Sequence, residues 1–418
     1  MSQPPTQVLD GSLDLSTETS RKHRRLMAIA ESAFLLLAAT SLVYSAVTAL
    51  REGRDLAMFQ DMGRAWVAGV YQTSEGPFYG PPPFASVLFS SFALLSFAQL
   101  RAIFVLFNLL ATGAILLLVK RLWGAAWPAR ARMNLAAFVL CWASFRVTVR
   151  YGQISLIVTA LVLAALLAWK RRSNVLAGLL LGVSLCKYPL TLPFALYFLW
   201  RREWKVVATA VLAVAALTGA YAIKLGLSPI AVTSDYVWAL LHTSISNQAR
   251  FNGVTDIGPI LSALTGSRWL GRGLNIALAL FGITAMATIF RRRPSCEKMH
   301  LTIVSLFSLW FVYHRIYDAV ICVIPAAVFL DLIVRGKVRK PGFIGVAALG
   351  LLGASVSGIL TERLHLGSES LAANPVGFVG LHFDRILVFG LFWSLIMFLW
   401  KLPPGDLEEP GTVAATVS

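Results

Sequence analysis

Apolar residues run through this chain in long blocks rather than in alternating patterns. Such blocks lie at 32–50, 101–119, 134–149, 151–169, 174–187, 189–200 and 206–223. Others follow at 270–290, 300–313, 316–334, 342–360 and 382–400. A bilayer core takes roughly 20 apolar residues of helix. The pattern therefore predicts an all-α polytopic membrane protein of about twelve transmembrane helices. The block at 32–50 follows a basic cluster like a signal peptide, but it is too long for one and predicts an uncleaved first helix.

Two stretches break the pattern. Between 51 and 83 the chain is semi-polar, with Leu56, Phe59, Met62 and Trp66 at helical spacing. That stripe predicts an amphipathic helix lying along the membrane. Residues 84–98 are apolar but too few to cross. They are expected to form a re-entrant or interface-lying segment on the outer side. Pro189 breaks the apolar stretch 174–200, which predicts two short helices running out and back. Gly178 and Gly182 form a small-xxx-small pair suited to close helix packing.

Composition agrees with the blocks. Of the 418 residues, 57% are hydrophobic and 14% charged, and the mean hydropathy is +0.71. A soluble domain carries roughly 25% charged residues, so a soluble enzyme is excluded. The formal charge of +17 would suggest nucleic acid in a soluble chain. Here the basic residues instead gather in short loops: 21–25, 120–132, 170–172, 201–205, 291–298, 335–340 and Lys401. Their regular alternation places those loops and both termini on the cytoplasmic side. The expected organisation is a cytoplasmic, unstructured tail over 1–25, one membrane domain over 26–400 and a cytoplasmic tail over 401–418. Cys141, Cys186, Cys296 and Cys322 show neither disulfide nor zinc spacing.

Polar residues inside such a chain are costly and so point to function. The alternation puts Asp55, Asp61, Arg150, Gln153, Lys187, Asn247, Gln248, His314 and Asp318 on the outer side. Asp55 heads the amphipathic helix, either as its N-cap or as a general base. Asp61 is the competing carboxylate. Lys187, in a helix break, suits an anion or simple snorkelling to the interface. His314 and Asp318, four apart, share one helical face and suit a proton or phosphate better than a metal. No nucleotide-binding loop or HExxH motif is present.

In order, the motifs read Asp55-Leu56-Ala57-Met58-Phe59, Tyr79-Gly80-Pro81-Pro82-Pro83, Gly152-Gln153, Lys187-Tyr188-Pro189, Asn247-Gln248 and His314 with Asp318. Together they resemble glycosyltransferase family 87, of the GT-C type. Phe59 and Ala249 stand where that family often has Tyr and Ser. The resemblance covers roughly 26–400. It implies an inverting transfer of a sugar, commonly mannose, from a polyprenyl-phosphate carrier. It implies a lipid-linked or envelope glycan acceptor on the extracytoplasmic side. It also implies Asp55 as general base and Lys187 and His314 near the donor phosphate; the residues themselves point to no cofactor and no metal site. A secondary transporter of about twelve helices is the alternative. It should show matching broken helices in both halves, and only the break at Lys187 is evident.

Overall fold

A computed structural model describes residues 13–71, 81–242, 257–311, 314–336, 339–355, 359 and 375–403. The regular elements among them are helices. The first five are α1 (Leu13–Ala49), α2 (Arg54–Val67), α3 (Ala85–Phe89), α4 (Phe97–Leu122) and α5 (Ala129–Cys141). Next come α6 (Ala143–Tyr151), α7 (Ser155–Lys170), α8 (Asn174–Ser184), α9 (Tyr188–Trp200) and α10 (Trp204–Lys224). Then follow α11 (Pro229–His242), α12 (Gly258–Thr265), α13 (Arg268–Arg292) and α14 (Glu297–Phe311). The last are α15 (Val323–Arg335), α16 (Arg339–Ala354), α17 (Pro375–Leu381) and α18 (Phe383–Lys401).

By length and composition, seven helices among the described residues can cross a membrane, or eight if the bent pair α6–α7 counts as one span. The sequence blocks predict about twelve. The difference lies in short elements: α5, α14 and α16 have 13, 15 and 16 residues. The block at 134–149 is not one helix, because α5 ends at Cys141 and α6 restarts after an extended Trp142. Neither Gly nor Pro marks that break. Helix α1 also departs from expectation. It begins at Leu13, within the stretch expected to be unstructured. No Gly or Pro interrupts residues 12–52, so the polar start simply continues the helix. Helix α4 begins at Phe97, earlier than the block suggests, because Ser96 and Gln99 form a reciprocal capping box.

Residues 84–98 do not form a span. They make α3 and a 3-10 turn, Ser90–Leu94, packed along α2. The Gln60 amide holds them there by donating to the Phe92 and Leu95 carbonyls at 3.1 and 2.7 Å.

The stretch Asn174–Trp200 is long and apolar enough to be one span, but its contacts show a hairpin. The Thr191 hydroxyl donates to the Ser184 carbonyl, seven residues back, at 3.2 Å. That distance is impossible along a straight helix, where seven residues rise roughly 10 Å. Arg201 lies over the Trp169 ring at 5.8 Å, so the ends of α7 and α9 meet. Gly178 faces Val206 and Thr209, and Gly182 faces Ala210 and Ala213. The two steps of four match, so α8 and α10 run in the same direction and α9 returns between them. Pro189 and the 3-10 turn Leu185–Lys187 form the bend.

The basic loops converge at one end of the bundle. Arg130 pairs with Glu31 at 2.7 Å, Lys170 with Glu297 at 2.8 Å, and Lys298 with Asp331 at 2.9 Å. Asp331 also accepts from Trp127 Nε1 at 2.8 Å and Arg335 Nε at 3.0 Å. Arg201 reaches the Pro294 carbonyl, and Arg293 reaches the carbonyls of Leu402 and Pro403. The N-terminal ends of α2 and α7 and the 185–189 bend lie at the opposite end.

The α8–α10 contact makes a direct prediction. A Cβ at Gly178 would sit 2.5 Å from the Val206 carbonyl oxygen, whereas at Gly219 it would meet nothing within 4 Å. Gly178→Ala should lower stability by about 1–3 kcal/mol through forced separation of the helices. Gly219→Ala should be neutral or slightly stabilising, since Ala favours helix. Thermal melts of the two purified variants check this; equal melting points would contradict the packing.

Candidate active site

A glycine organises the site. Gly152 closes α6 in the left-handed region, φ 68°, where glycine carries no steric penalty. The chain then turns by 114° into α7. A Cβ on Gly152 would lie 2.7 Å from Leu56 Cβ, so the missing side chain also admits α2. Leu56, Phe59 and Met62 are buried, as the amphipathic stripe requires. This contact sets Gln153 beside Asp55.

A chain of polar groups follows. Gln153 Nε2 donates to Asp55 Oδ2. Gln153 Oε1 accepts from Lys187 Nζ at 3.0 Å. The same ammonium donates to Ser155 Oγ at 2.7 Å and pairs with Asp318 Oδ1 at 2.6 Å. Ser155 Oγ donates in turn to Asp318 Oδ1 at 2.8 Å. Asp318 Oδ2 meets His314 Nδ1 at 2.9 Å. Lys187 Nζ also lies 4.5 Å from the Tyr317 ring centroid, a favourable cation–π distance.

Burial grades along this chain. Asp55 is half-buried, Gln153 and Asp318 are buried, and the Ser155 and His314 side chains are fully enclosed. An ammonium has three N–H donors, and here Gln153, Ser155 and Asp318 take all three. Asp318 is buried and Lys187 mostly enclosed, and each balances the other's charge. One end of the network faces a half-buried carboxylate. The other ends at His314 Nε2, which is buried and has no hydrogen-bond partner among the described residues.

Five residues singled out in the sequence thus meet: Asp55, Gln153, Lys187, His314 and Asp318. Asp55 does not cap α2. Gly53 is the N-cap and no side chain caps that end, so the capping alternative is set aside in favour of the Gln153 contact. Asp61 is exposed and outside the network. Arg150 pairs with Glu52 at 2.7 Å, and its carbonyl accepts from Gly53 N at 3.1 Å. It therefore braces the α1–α2 elbow beside the network. Asn247, Gln248, Tyr79 and Gly80 lie outside the described residues.

Ser155 and Glu52 join the site without having stood out in the sequence. Ser155 follows the Gly152-Gln153 pair by two residues, the only signal it offers. A small hydroxyl at a helix start usually serves locally, so its bridging role needed coordinates. Among the described residues no group of three or more His, Cys, Asp or Glu converges to hold a metal ion.

The Glycosyltransferase family 87 model matches residues 79–312, more than half of the chain. The chain belongs to glycosyltransferase family 87. It is therefore a glycosyltransferase carrying several helices able to span a membrane, and membership sets aside the transporter alternative. The family match includes Gln153, Ser155 and Lys187, while Asp55 lies before it and His314 and Asp318 just after it. No curated protein and no solved structure matches the chain.

The buried pair makes a stability prediction. Asp318→Asn leaves the Lys187 charge uncompensated and should cost about 3–5 kcal/mol. Combining it with Lys187→Met removes that orphan charge and should recover part of the loss. A double-mutant cycle on unfolding measures the coupling; purely additive effects would contradict the pairing.

Proposed function

We propose that this chain transfers a hexose, mannose being the sugar the resemblance favours, from a polyprenyl-phosphate carrier. The acceptor is a lipid-linked or envelope glycan. The observation carrying the reading is the network from Asp55 through Gln153, Lys187 and Asp318 to His314. It sets a half-buried carboxylate and an unpartnered imidazole nitrogen at the two ends of one rigid polar array.

In the proposed reaction an acceptor hydroxyl oxygen attacks the anomeric carbon. Its proton passes to Asp55 as the new C–O bond forms. The bond from the anomeric carbon to the phosphate oxygen breaks, and polyprenyl phosphate leaves with the bonding electrons. One displacement inverts the anomeric configuration. Asp55 Oδ2 is held by Gln153, and Oδ1 accepts nothing among the described residues, so Oδ1 is the base. His314 Nε2, with Nδ1 on Asp318, is the donor-phosphate ligand, aimed at charge that grows on the leaving oxygen. Lys187 has its donors engaged, so it acts first as the hub that positions Gln153 and Asp318. It reaches phosphate only by exchanging one of those bonds. Gln153 is a positioning residue, its amide orientation set by a carboxylate on one side and an ammonium on the other. Asn247 and Gln248 are further candidates for sugar contacts, as the motif order implies.

The same reading covers architecture and side. The basic loops share one end and the network lies at the other, which supports a GT-C-type bundle of about twelve traversals. It also supports a cytoplasmic basic end, an extracytoplasmic active site and both termini inside the cell. The α8–α9 hairpin adds the traversal that a length count misses.

Two measurements test these roles. Asp55→Asn keeps an acceptor for the Gln153 amide and should fold normally. It should lose on the order of 10²–10⁴-fold in turnover, because a positioned base contributes that much. Full activity would remove Asp55 from the chemistry, and a dead Asp61→Asn enzyme beside it would reassign the base. Gln153→Glu places a second carboxylate against Asp55. It should shift the acidic limb of the pH–rate profile upward, since like charges disfavour the ionised form. An unmoved limb with only a lower plateau would reduce Gln153 to a packing role.

A further inference from the structure

We propose that the basic end of the bundle, remote from the glycosyl-transfer site, binds one anionic diacyl phospholipid astride α5. Two apolar recesses flank that helix. The larger, about 380 Å³, lies among α1, α5, α15 and α16, with Met27, Phe34, Phe138 and Leu330 in its wall. The smaller, about 260 Å³, lies between α4 and α5, with Leu116, Leu117 and Trp127 in its wall. Leu135 lines both, so the two recesses adjoin at that side chain. Two adjoining apolar recesses suit two acyl chains joined at one headgroup.

The rims supply the headgroup chemistry. Arg130 borders the larger recess, and Lys120 and Arg132 border the smaller. Among the described residues Glu31 is the one carboxylate lining either recess. It takes Arg130 in a two-pronged pair, at 2.9 and 2.7 Å. Arg132 is steadied by one bond to the Trp127 carbonyl at 2.8 Å and keeps further N–H donors for an anion. Asn134 Oδ1, in the wall of the larger recess, is buried and has no hydrogen-bond partner among the described residues. A phosphate between Lys120 and Arg132 satisfies the cations, and a headgroup hydroxyl satisfies Asn134. Basic pockets between membrane helices recognise anionic lipids in this manner. The occupant is thus a phosphatidylglycerol-like lipid.

The fold has a use for such a lipid. Only 11% of the membrane window of α1 is buried, so that helix is weakly seated. Acyl chains filling the recess between α1 and α5 would restore contacts that a void forfeits.

Native mass spectrometry of the purified full chain, with phosphatidylglycerol, phosphatidylcholine and polyprenyl phosphate added in equal amounts, tests this. One phosphatidylglycerol should remain bound per chain, preferred over phosphatidylcholine by roughly ten- to thirtyfold. The Lys120→Gln, Arg132→Gln double variant should fall to near parity while keeping its transfer activity. Lys120→Gln alone, which breaks no side-chain bond among the described residues, should lose part of the preference. Ala30→Trp, which fills the larger recess from α1, should lower retention of both phospholipids. Equal retention of the two phospholipids by the unaltered chain would overturn the proposal. So would a preference untouched by either Gln variant, or retention of polyprenyl phosphate above both.

Discussion

The contact on which this site depends is the Lys187–Asp318 ion pair. A lone ammonium or carboxylate at this depth would be driven to neutralise or to reach water. At 2.6 Å, each charge balances the other, and Ser155 bonds to both. The pair ties three separate parts of the chain: the start of α7, the 185–187 turn and the 3-10 segment Ile316–Cys322. The geometry at its edges follows from it. Lys187 sets the Gln153 carbonyl, which turns the amide nitrogen toward Asp55. Asp318 sets the His314 ring, which turns Nε2 away. The carboxylate and the imidazole are thus oriented by one buried charge pair rather than by separate local structure.

Backbone breaks make room for it. Gly152 turns α6 sharply into α7, and the Leu185–Lys187 turn reverses α8 into α9. Both breaks fall at the same end of the bundle, and each presents a polar side chain where a continuous helix would bury an apolar one. Irregular backbone in a membrane protein is tolerated where protein surrounds it. Here the hairpin is held by the Thr191–Ser184 bond and by the close α8–α10 contact at Gly178 and Gly182. Close helix packing and site geometry are parts of one arrangement.

Much of this was legible from residue order. Apolar blocks and basic loops locate most helices, because hydrophobic length and charge bias are strong, local signals. Pro189 between two basic loops indicates the α8–α9 hairpin. The amphipathic stripe from Leu56 to Met62 locates α2. What stayed hidden depends on tertiary contact. Trp142 breaks a helix with no breaker residue. Helix α1 extends through polar residues that composition alone reads as unstructured. Asp55 at a helix start reads equally as a cap or as a base, and only the structure shows that Gly53 is the cap and that Asp55 instead meets Gln153. Ser155 carries no signature, since its importance lies in two partners 32 and 163 residues away.

The central claim is that this site acts on a lipid-phosphate donor. The decisive measurement is transfer by the purified chain in detergent, given either a radiolabelled polyprenyl-phosphate sugar or the matching nucleotide sugar, with a glycolipid acceptor. Labelled glycolipid should form from the polyprenyl-phosphate donor alone, as transfer from a lipid-phosphate donor requires, with the anomeric configuration inverted. Transfer from the nucleotide sugar with no lipid carrier, or a product of retained configuration, would contradict it.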